Sequence, residues 1–272
     1  MAKSTVRHVV TPRDLEILTA LDRTPLTALQ LLELSRTFDH AFGSERMVRE
    51  RLQALCAAGW ARSAHYATAV QGAAPKYYFL TTVGYSLVHG PNAASAPKRS
   101  FVPLPVTRHR HSRALADFVV QMYVAAHAAN ILVENYYPEN LLRLTVDGES
   151  LCPDGAFELR TTDGKQYNFV VELDCSTERV ASTRDADSWQ RKIRLYDRLQ
   201  DLNHPNRFRV LVLCTGGRER LRHILATAAT LFRNPQRALL YGVPLPEFLS
   251  QADSLRTKCF RDHLQRAVAL VP

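Results

Sequence analysis

The sequence predicts an α/β protein, α+β overall, with a small helical domain at its N-terminal end and a larger domain built on a mixed sheet. Two observations support this class. Apolar residues recur at helical spacing in the first part of the chain, and later segments follow the order α-β-β-β-α-β. A stretch rich in Pro, Ala and Ser at 91–105 is typical of a linker, so we expect domains at 1–90 and 106–272.

The composition is that of a globular protein with a basic surface. Of 272 residues, 46% are hydrophobic and 22% are charged, and the formal net charge is +9. The positive excess lies in 1–100 and 201–272, whereas 101–200 holds slightly more acids than bases. We therefore expect a polyanionic partner such as nucleic acid, faced by a divalent-metal site in the acidic middle. Basic residues scattered without any nucleic-acid role are the alternative.

Cysteine usage and hydropathy indicate the compartment. Five cysteines occur without a C-x-x-C pair, which argues against a zinc knuckle and against a disulfide framework. We interpret them as small buried residues in a reducing environment. No apolar run is long enough to span a bilayer, and the first residues lack the apolar core of a signal peptide. The prediction is a cytoplasmic protein without a membrane partner.

Three short helices precede a hairpin in the N-terminal domain. Thr11 and Pro12 are typical of a helix start, Leu26 to Leu34 predicts a second helix, and Ser44 caps a third that ends at Gly59. The segments that follow predict a β-hairpin and a closing helix. This is the order of a winged helix-turn-helix, whose third helix enters the major groove of DNA while the hairpin contacts the backbone. Use of such a domain for protein contacts or dimerisation is the alternative.

Basic side chains mark the surfaces that would contact double-stranded DNA. Arg46 and Arg49 are three residues apart, so they share one face of the third helix, whereas Arg51 lies further round and could face the body of the domain. The predicted DNA-binding residues are Arg46, Arg49 and Arg51 on the third helix, Arg62 and Lys76 on the hairpin, and Arg108, Arg110 and His111 at the start of the next helix. For the last group, a plain cluster at a helix start is the alternative.

The second domain is predicted to alternate helices and strands. The predicted elements are a long helix from His109 to Asn130, strands at Ile131–Tyr137, Leu151–Leu159 and Tyr167–Leu173, a helix over Ser188 to Asp201, a buried strand at Phe208–Cys214, and a helix from Arg218 to Arg233. Asp163-Gly164 predicts a tight turn between the second and third strands. Beyond Gly242 we expect one or two terminal helices between Phe248 and Leu270.

Three carboxylates are expected to meet on this sheet. Glu172 and Asp174 are two residues apart in one strand, so they share a face. The turn at Asp163-Gly164 brings Asp154, which we place in the neighbouring strand, opposite Glu172 to within about one residue. Like charges at such a short distance are unfavourable unless a cation or a proton lies between them, and oxygen ligands suit Mg²⁺ or Mn²⁺. Turn or strand-end surface acids are the alternative.

These residues resemble the PD-(D/E)XK nuclease superfamily. Pro153-Asp154, Glu172 and Asp174 supply its PD and acidic positions within the α-β-β-β-α-β order. The resemblance implies a restriction-endonuclease-like domain in which Asp154, Glu172 and Asp174 bind Mg²⁺ or Mn²⁺ and a lysine helps to position the attacking water. The slot of that lysine holds Asp174 here, and Lys192 on the following helix is placed to supply it. The implied catalytic set is therefore Asp154, Glu172, Asp174 and Lys192, unless Lys192 is only an exposed helix cation.

The arrangement also resembles the replication-relaxation family of plasmid and mobile-element proteins, over about residues 11–215. The matching positions are His111-Ser112 with Asp117, Pro153-Asp154, the run from Glu172 to Glu178, and Lys192 with Tyr196. This resemblance implies a role in the replication, relaxation or transfer of mobile DNA. It leaves a homodimer and other mobile-element proteins open as partners.

Two functions from different classes remain open at this point. One is a metal-dependent DNA endonuclease or nickase, and the other is a non-catalytic winged-helix regulator or replication accessory factor with a degenerate nuclease-like scaffold. A protein-interaction adaptor is a third interpretation. No GxxxxGK[ST], GxSxG or HExxH motif occurs. We interpret Glu178 as a solvated acid, and Trp189 and Tyr196 as core residues.

Overall fold

The computed structural model describes residues 9–67, 74–94, 97–139, 141–180, 188–202 and 207–272. Contacts between Cα atoms divide the chain into two compact units, Met1–Ala116 (unit 1) and Asp117–Pro272 (unit 2). The predicted class, α/β and α+β overall, is confirmed by the mixture of helices with a large mixed sheet. Among the described residues, none of the helices has both the length and the apolar character needed to cross a lipid bilayer.

Unit 1 follows the predicted order of three helices, a hairpin and a closing helix. Its described elements are α1 (Pro12–Arg23), β1 (Leu26–Thr27), α2 (Ala28–Leu34), α3 (Glu45–Ala57), β2 (Ala61–His65), β3 (Lys76–Leu80) and α4 (Thr82–His89). The strands pair in the order β1-β3-β2 and are antiparallel. Leu26 was expected to begin the second helix; it pairs with Tyr78 instead, and Thr27 caps α2.

Local sequence explains where the helices of unit 1 begin and end. The Thr11 side chain accepts a hydrogen bond from the backbone N–H of Asp14, whose carboxylate accepts one from the N–H of Thr11, with Pro12 in the first turn. Ser44 caps α3 through the N–H of Met47. After α3, Gly59 has a φ of +77°, a conformation that favours glycine and stops the helix.

The stretch at 91–105, predicted as a linker, belongs to unit 1. The backbone N–H of Leu104 donates to the hydroxyl of Tyr77 over 2.8 Å. His109 lies edge-on to the rings of Tyr66 and Tyr77. Aromatic packing on β3 therefore holds the end of this stretch on unit 1. The division between the units falls after Ala116, later than composition alone predicts.

Unit 2 is built on a seven-stranded sheet in the order β12-β11-β10-β9-β8-β7-β4. Its described elements are the part of α5 (His109–Ala128) from Asp117 onward, β4 (Leu132–Tyr137), β5 (Leu144–Val146), β6 (Glu149–Leu151), β7 (Gly155–Arg160), β8 (Gln166–Asp174), α6 (Trp189–Leu202), β9 (Phe208–Cys214), α7 (Gly217–Leu231), β10 (Leu240–Pro244), α8 (Leu245–Leu249), β11 (Phe260–Asp262) and β12 (Ala267–Val268). Strands β8, β9 and β10 are parallel, and the other pairs in this sheet are antiparallel.

Two predictions for unit 2 are wrong. The strand expected at Leu151–Leu159 is two strands, because Pro153 has no backbone N–H to continue a ladder, and β6 pairs instead with β5 in a separate hairpin. Asp154 therefore immediately precedes β7 rather than lying within a strand. The terminal helices expected between Phe248 and Leu270 are replaced, beyond the end of α8, by the short strands β11 and β12, which extend the sheet.

The two faces of the sheet bury different side chains. One face packs Val170 and Val212 against Trp189 and Ile193 of α6. On the other face, the rings in contact are those of Phe118, Phe157, Phe169 and Phe248. Because side chains alternate along a strand, the side chains at 172 and 174 in β8 point to the same face as Val170, toward α6. The sheet thus directs both acids of β8 into a helix-covered interior.

Candidate active site

Asp154 immediately precedes β7 and lies near Glu172 of the neighbouring strand β8. The register of the pair β7–β8 joins Gly155 to Val171. The N–H of Asp154 donates to the carbonyl of Val171 over 2.9 Å, and its carboxylate accepts from the N–H of Leu173 over 2.8 Å. The charge of Asp154 acts on both Glu172 and Tyr196 of α6, so the two acids are neighbours on the side of α6.

Helix α6 supplies two donors to Glu172. The Nζ of Lys192 lies 2.8 Å from Oε2 of Glu172, and the hydroxyl of Tyr196 lies 2.5 Å from Oε1. Residues four apart face the same side of a helix, so one turn of α6 reaches both carboxylate oxygens. The side chains of Glu172 and Lys192 are 2% and 17% exposed. Lys192 is thus an inward-facing member of the cluster rather than an exposed helix cation.

Glu178 is a second carboxylate on Lys192. Its Oε1 lies 2.8 Å from Nζ of Lys192, and its side chain is 26% exposed. One ammonium therefore bridges an acid at the end of β8 and an acid in the segment that follows the strand. The interpretation of Glu178 as a solvated acid is wrong, because α6 turns Lys192 toward it.

Burial and the charge of Lys192 dominate the electrostatics of this cluster. Burial raises the pKa of Glu172, the charge of Lys192 opposes that rise, and the charge of Asp154 adds to it. Burial likewise raises the pKa of Glu178 against the effect of Lys192. For Lys192 burial would lower the pKa, but the charges of Glu172 and Glu178 outweigh it and raise that pKa. The lysine is therefore a firmly held cation among acids that repel one another.

Asp174 belongs to a different set of contacts. Arg220 of α7 donates to both of its oxygens, from Nε over 3.0 Å and from a terminal nitrogen over 2.8 Å. The indole N–H of Trp189 donates to Oδ1 over 3.0 Å, and Cys214 on the parallel strand β9 lies 3.5 Å from Oδ2. The expected grouping of Asp174 with Asp154 and Glu172 is not what the structure contains.

The charge state of Asp174 follows from these donors. Burial would raise its pKa, but the hydrogen bonds from Arg220 and Trp189 outweigh burial and hold the pKa below its ordinary value. Burial, together with the charge of Asp174, raises the pKa of the Cys214 thiol to about 11. Cys214 is a buried free thiol, as predicted, whereas Cys152 is exposed. Asp174 is thus a carboxylate satisfied by protein donors.

The residues beside Asp154 fit a hard divalent cation. Glu139 and Asp154 each place a carboxylate oxygen within 4.8 Å of the other. Two ligands on opposite sides of Mg²⁺ are separated by about 4.2 Å, and Mg²⁺ and Mn²⁺ prefer oxygen donors. Asp154 and Glu139 are half-buried. Chemistry and spacing therefore suit an ion at Asp154 and Glu139, whereas the oxygens of Glu172 and Asp174 already accept from protein donors.

The predicted DNA-binding residues fall into three groups within unit 1. Arg46 and Arg49 lie on the exposed side of α3, where they pair with Glu50 and Glu45 of the same helix. Arg51 instead pairs with the buried Asp14 at 2.5 Å and so ties α3 to α1. The remaining positions are Arg62 in β2 and Lys76 in β3, both exposed, Arg108 in a short turn, and Arg110 and His111 in the first turn of α5.

A family comparison places these features in context. A family model described as replication-relaxation matches residues 18–210, more than half of the chain. The chain belongs to the replication-relaxation family. No curated protein and no solved structure matches it. The segment matched by the replication-relaxation model contains α3 of unit 1 and, in unit 2, the cluster of Asp154, Glu172, Glu178 and Lys192.

Sequence reasoning on this replication-relaxation protein missed two kinds of residue. Trp189 and Tyr196 are fully buried, as predicted for core residues, but each also donates a hydrogen bond to an acid. The four-residue spacing of Lys192 and Tyr196 carried that signal, since both reach one face of α6. Arg220 carried no local signal, because only the packing of α7 on the parallel strands brings it to Asp174.

Proposed function

We propose that this protein binds double-stranded DNA of a plasmid or another mobile element through unit 1 and cuts or nicks it in unit 2 with the help of Mg²⁺ or Mn²⁺. The observation that carries the proposal is the group formed by Asp154, Glu172 and Lys192. Membership of the replication-relaxation family supports a role in the replication or relaxation of such DNA. The formal net charge of +9 supports a polyanionic partner.

The proposed reader is a winged helix-turn-helix with α3 as its recognition helix. The side chains of Arg46 and Arg49 are 87% and 60% exposed and pair with acids one turn away on α3. Exposed ion pairs of this kind contribute little to stability, so exchanging a helix carboxylate for a DNA phosphate costs little. Arg51 is left out of the proposed contact surface because its guanidinium is committed to Asp14.

Salt-dependent binding tests the reader. We expect the affinity of the full chain for duplex DNA to fall steeply with salt, and the slope to shrink by about 0.9 for each phosphate that a substitution leaves without its cation. The variant R46A/R49A should lower both the affinity and the slope. Arg36→Ala is the matched control, because Arg36 is also an exposed arginine paired within its own local segment, with Glu33. If R46A/R49A and R36A bind duplex DNA with equal affinity, α3 is not part of the DNA interface.

The proposed chemistry of unit 2 is phosphodiester cleavage. Asp154 and Glu139 would hold the divalent ion, and Glu172 would hold the Lys192 ammonium in the same site. The ion, when bound, would activate a water molecule and offset charge on the scissile phosphate. Lys192 would orient that water or the phosphate with its ammonium, which Glu172 and Glu178 keep protonated. Asp174 is not assigned to the ion because its oxygens already accept from Arg220.

A non-catalytic regulator or replication accessory factor is the second candidate. The observation that favours it is that Glu172 is already satisfied by protein donors. Its two oxygens accept hydrogen bonds from Lys192 and Tyr196, and its side chain is 2% exposed. A carboxylate in such a network stabilises a fold without needing a metal ion. Under this proposal unit 2 is a scaffold for binding or dimerisation, and the DNA contacts of unit 1 are unchanged.

A plasmid assay separates the two candidates. The full chain is incubated with supercoiled plasmid and Mg²⁺ or Mn²⁺, and open-circle and linear products are measured. For an active nuclease we expect products from the wild type, none from Asp154→Ala, and wild-type amounts from Asp163→Ala, whose carboxylate lies on an exposed turn. Products that persist in D154A would contradict the assigned site. Absence of products from the wild type would favour the accessory factor.

A further inference from the structure

Arg220 connects two parts of unit 2 with one guanidinium. Its Nε and one terminal nitrogen bind the two oxygens of Asp174, at the end of β8. The same terminal nitrogen also donates to the backbone carbonyl of Glu178. The planar fork of arginine suits such a divided task, since its donors point in fixed directions. Strand end and following segment are therefore held together by one side chain that is 19% exposed.

The segment held in this way carries the carboxylate that binds Lys192. Glu178 directs Oε1 to Nζ of Lys192 at 2.8 Å, and the second carboxylate on that ammonium is Glu172, also at 2.8 Å. Lys192 has a long, flexible side chain, so two carboxylates fix its position more narrowly than one. A continuous chain of contacts thus runs from Asp174 through Arg220 and Glu178 to Lys192.

We propose that Asp174 and Arg220 form a positioning pair that acts through Glu178 to hold the Lys192 ammonium beside Glu172. This assigns a task to the acid that occupies the position where the nuclease pattern that the sequence resembles has a lysine. Asp174 anchors the arginine that places the second carboxylate partner of Lys192. That the position of Lys192 matters for cleavage rests on the proposed function. That Asp174 and Arg220 fix this position does not.

The contacts of Asp174 support an anchoring task. Its side chain is fully buried, and Trp189 adds a third donor to the two from Arg220. The backbone carbonyl of Asp174 also accepts from the N–H of Thr215 over 2.9 Å, which fixes the end of β8 to the end of β9. Asp174 is therefore an immobile point from which Arg220 can reach the segment after the strand.

The test follows the Lys192 ammonium directly by NMR. In ¹⁵N-labelled full-length protein at low temperature, the Nζ–H signal of Lys192 is identified by its disappearance in Lys192→Met. That signal is sensitive to position, because Nζ lies 5.3 Å from the centre of the Trp189 ring. Arg220→Met should displace or broaden the signal, since the backbone of Glu178 is then without the donor that places it. An unchanged signal in R220M would overturn the proposal.

Arg237→Met is the matched control. Arg237 is 22% exposed and, like Arg220, binds both a buried aspartate and a backbone carbonyl, here those of Asp197. It should lower stability in the same way as R220M while leaving the Lys192 signal in place. Equal displacement in both variants would mean that any buried arginine of this unit has the same effect, and the proposal would fail.

A second variant covers the case in which R220M does not fold. Glu178→Gln removes one carboxylate from Lys192 while leaving Asp174 and Arg220 intact, and it should displace the same signal. No displacement in E178Q would show that Lys192 is held without Glu178 and would overturn the proposal. The measurement needs neither DNA nor metal. If the wild type does not cut plasmid, the proposed cleavage is wrong. The Lys192 signal would still test whether Asp174 and Arg220 position Lys192.

Discussion

Lys192 donates a hydrogen bond of 2.8 Å to Glu172, and only 2% of the Glu172 side chain is exposed. Charges this deeply buried are tolerated when each is paired and hydrogen-bonded. Removing one partner leaves the other as an uncompensated buried charge, which costs more than the intact pair contributes. The consequences of this pair can therefore be measured by substitution without any assumption about catalysis.

Lys192→Met should destabilise the protein by about 3–5 kcal/mol, the range for breaking a buried pair from one side. The free energy of unfolding from urea denaturation at neutral pH measures the loss. Lys165→Met is the control, because Lys165 pairs with Asp163 in an exposed position and its loss should change stability far less. The double variant K192M/E172Q should recover part of the loss, since it removes both charges. Equal small effects of K192M and K165M would contradict the burial of this pair.

Tyr196→Phe should cost about 1–3 kcal/mol in the free energy of unfolding, because it removes the donor to Oε1 of Glu172 and leaves that buried oxygen unsatisfied. The ring itself remains, so packing against Phe208 is retained. Tyr85→Phe is a suitable comparison, since its hydroxyl donates to the carbonyl of Ala94 near solvent. A loss no larger in Y196F than in Y85F would mean that the Glu172 oxygen finds another donor.

The part of this site that the sequence predicts depends on local geometry. A tight turn fixes the register of a hairpin, and Gly164, with a φ of +81°, allows the turn that sets Gly155, next to Asp154, opposite Val171, next to Glu172. The spacing of Lys192 and Tyr196 on a helix is likewise a local property. For these residues, period and turn chemistry are enough to predict which side chains meet.

The part that the sequence does not predict depends on contacts between distant segments. The separation of Asp174 from the cluster follows from Arg220, which arrives on a helix that crosses back onto the sheet after β9. The terminal strands β11 and β12 have three and two residues, which are too few to show the alternation of apolar and polar residues that marks a strand. The hydrogen bond from Leu104 to Tyr77 could not be predicted from composition either, because it forms only when the hairpin is folded.

Asp14 should give unit 1 a measurable sensitivity to acid. Burial would raise the pKa of this carboxyl, but hydrogen bonds from Arg51 and Thr11 outweigh burial and hold the pKa below its ordinary value. A carboxyl whose pKa is lower in the folded state stabilises the fold above its unfolded pKa of about 3.9, and this contribution is lost as pH falls through the folded value. Asp14→Asn should be less stable than wild type at pH 7, with the difference shrinking below about pH 4.

The comparison of unfolding free energies across pH isolates this group from the other acids. Asp39→Asn is the control, because it removes a carboxyl charge from the same unit at an exposed position. At pH 7 the stability lost in D14N should exceed that lost in D39N. A D14N curve that is parallel to wild type at every pH would show that the ion pair with Arg51 does not depend on the charge of Asp14.

Gly84 should resist replacement by alanine even though it lies in the first turn of a helix. Alanine is favoured over glycine within helices by about 1 kcal/mol, so propensity alone predicts a gain from Gly84→Ala. A Cβ at this position, however, would lie 2.0 Å from the backbone carbonyl oxygen of Trp60. Because backbone cannot rotate away as a side chain can, α4 must shift, and overpacking of this kind costs about 1–3 kcal/mol.

Thermal unfolding should therefore show G84A to be less stable than the wild type. Ser86→Ala, two residues later on α4, should stay within about 0.5 kcal/mol of the wild type. A rise in stability for G84A would mean that α4 does not pack against Trp60 as closely as this structure has it.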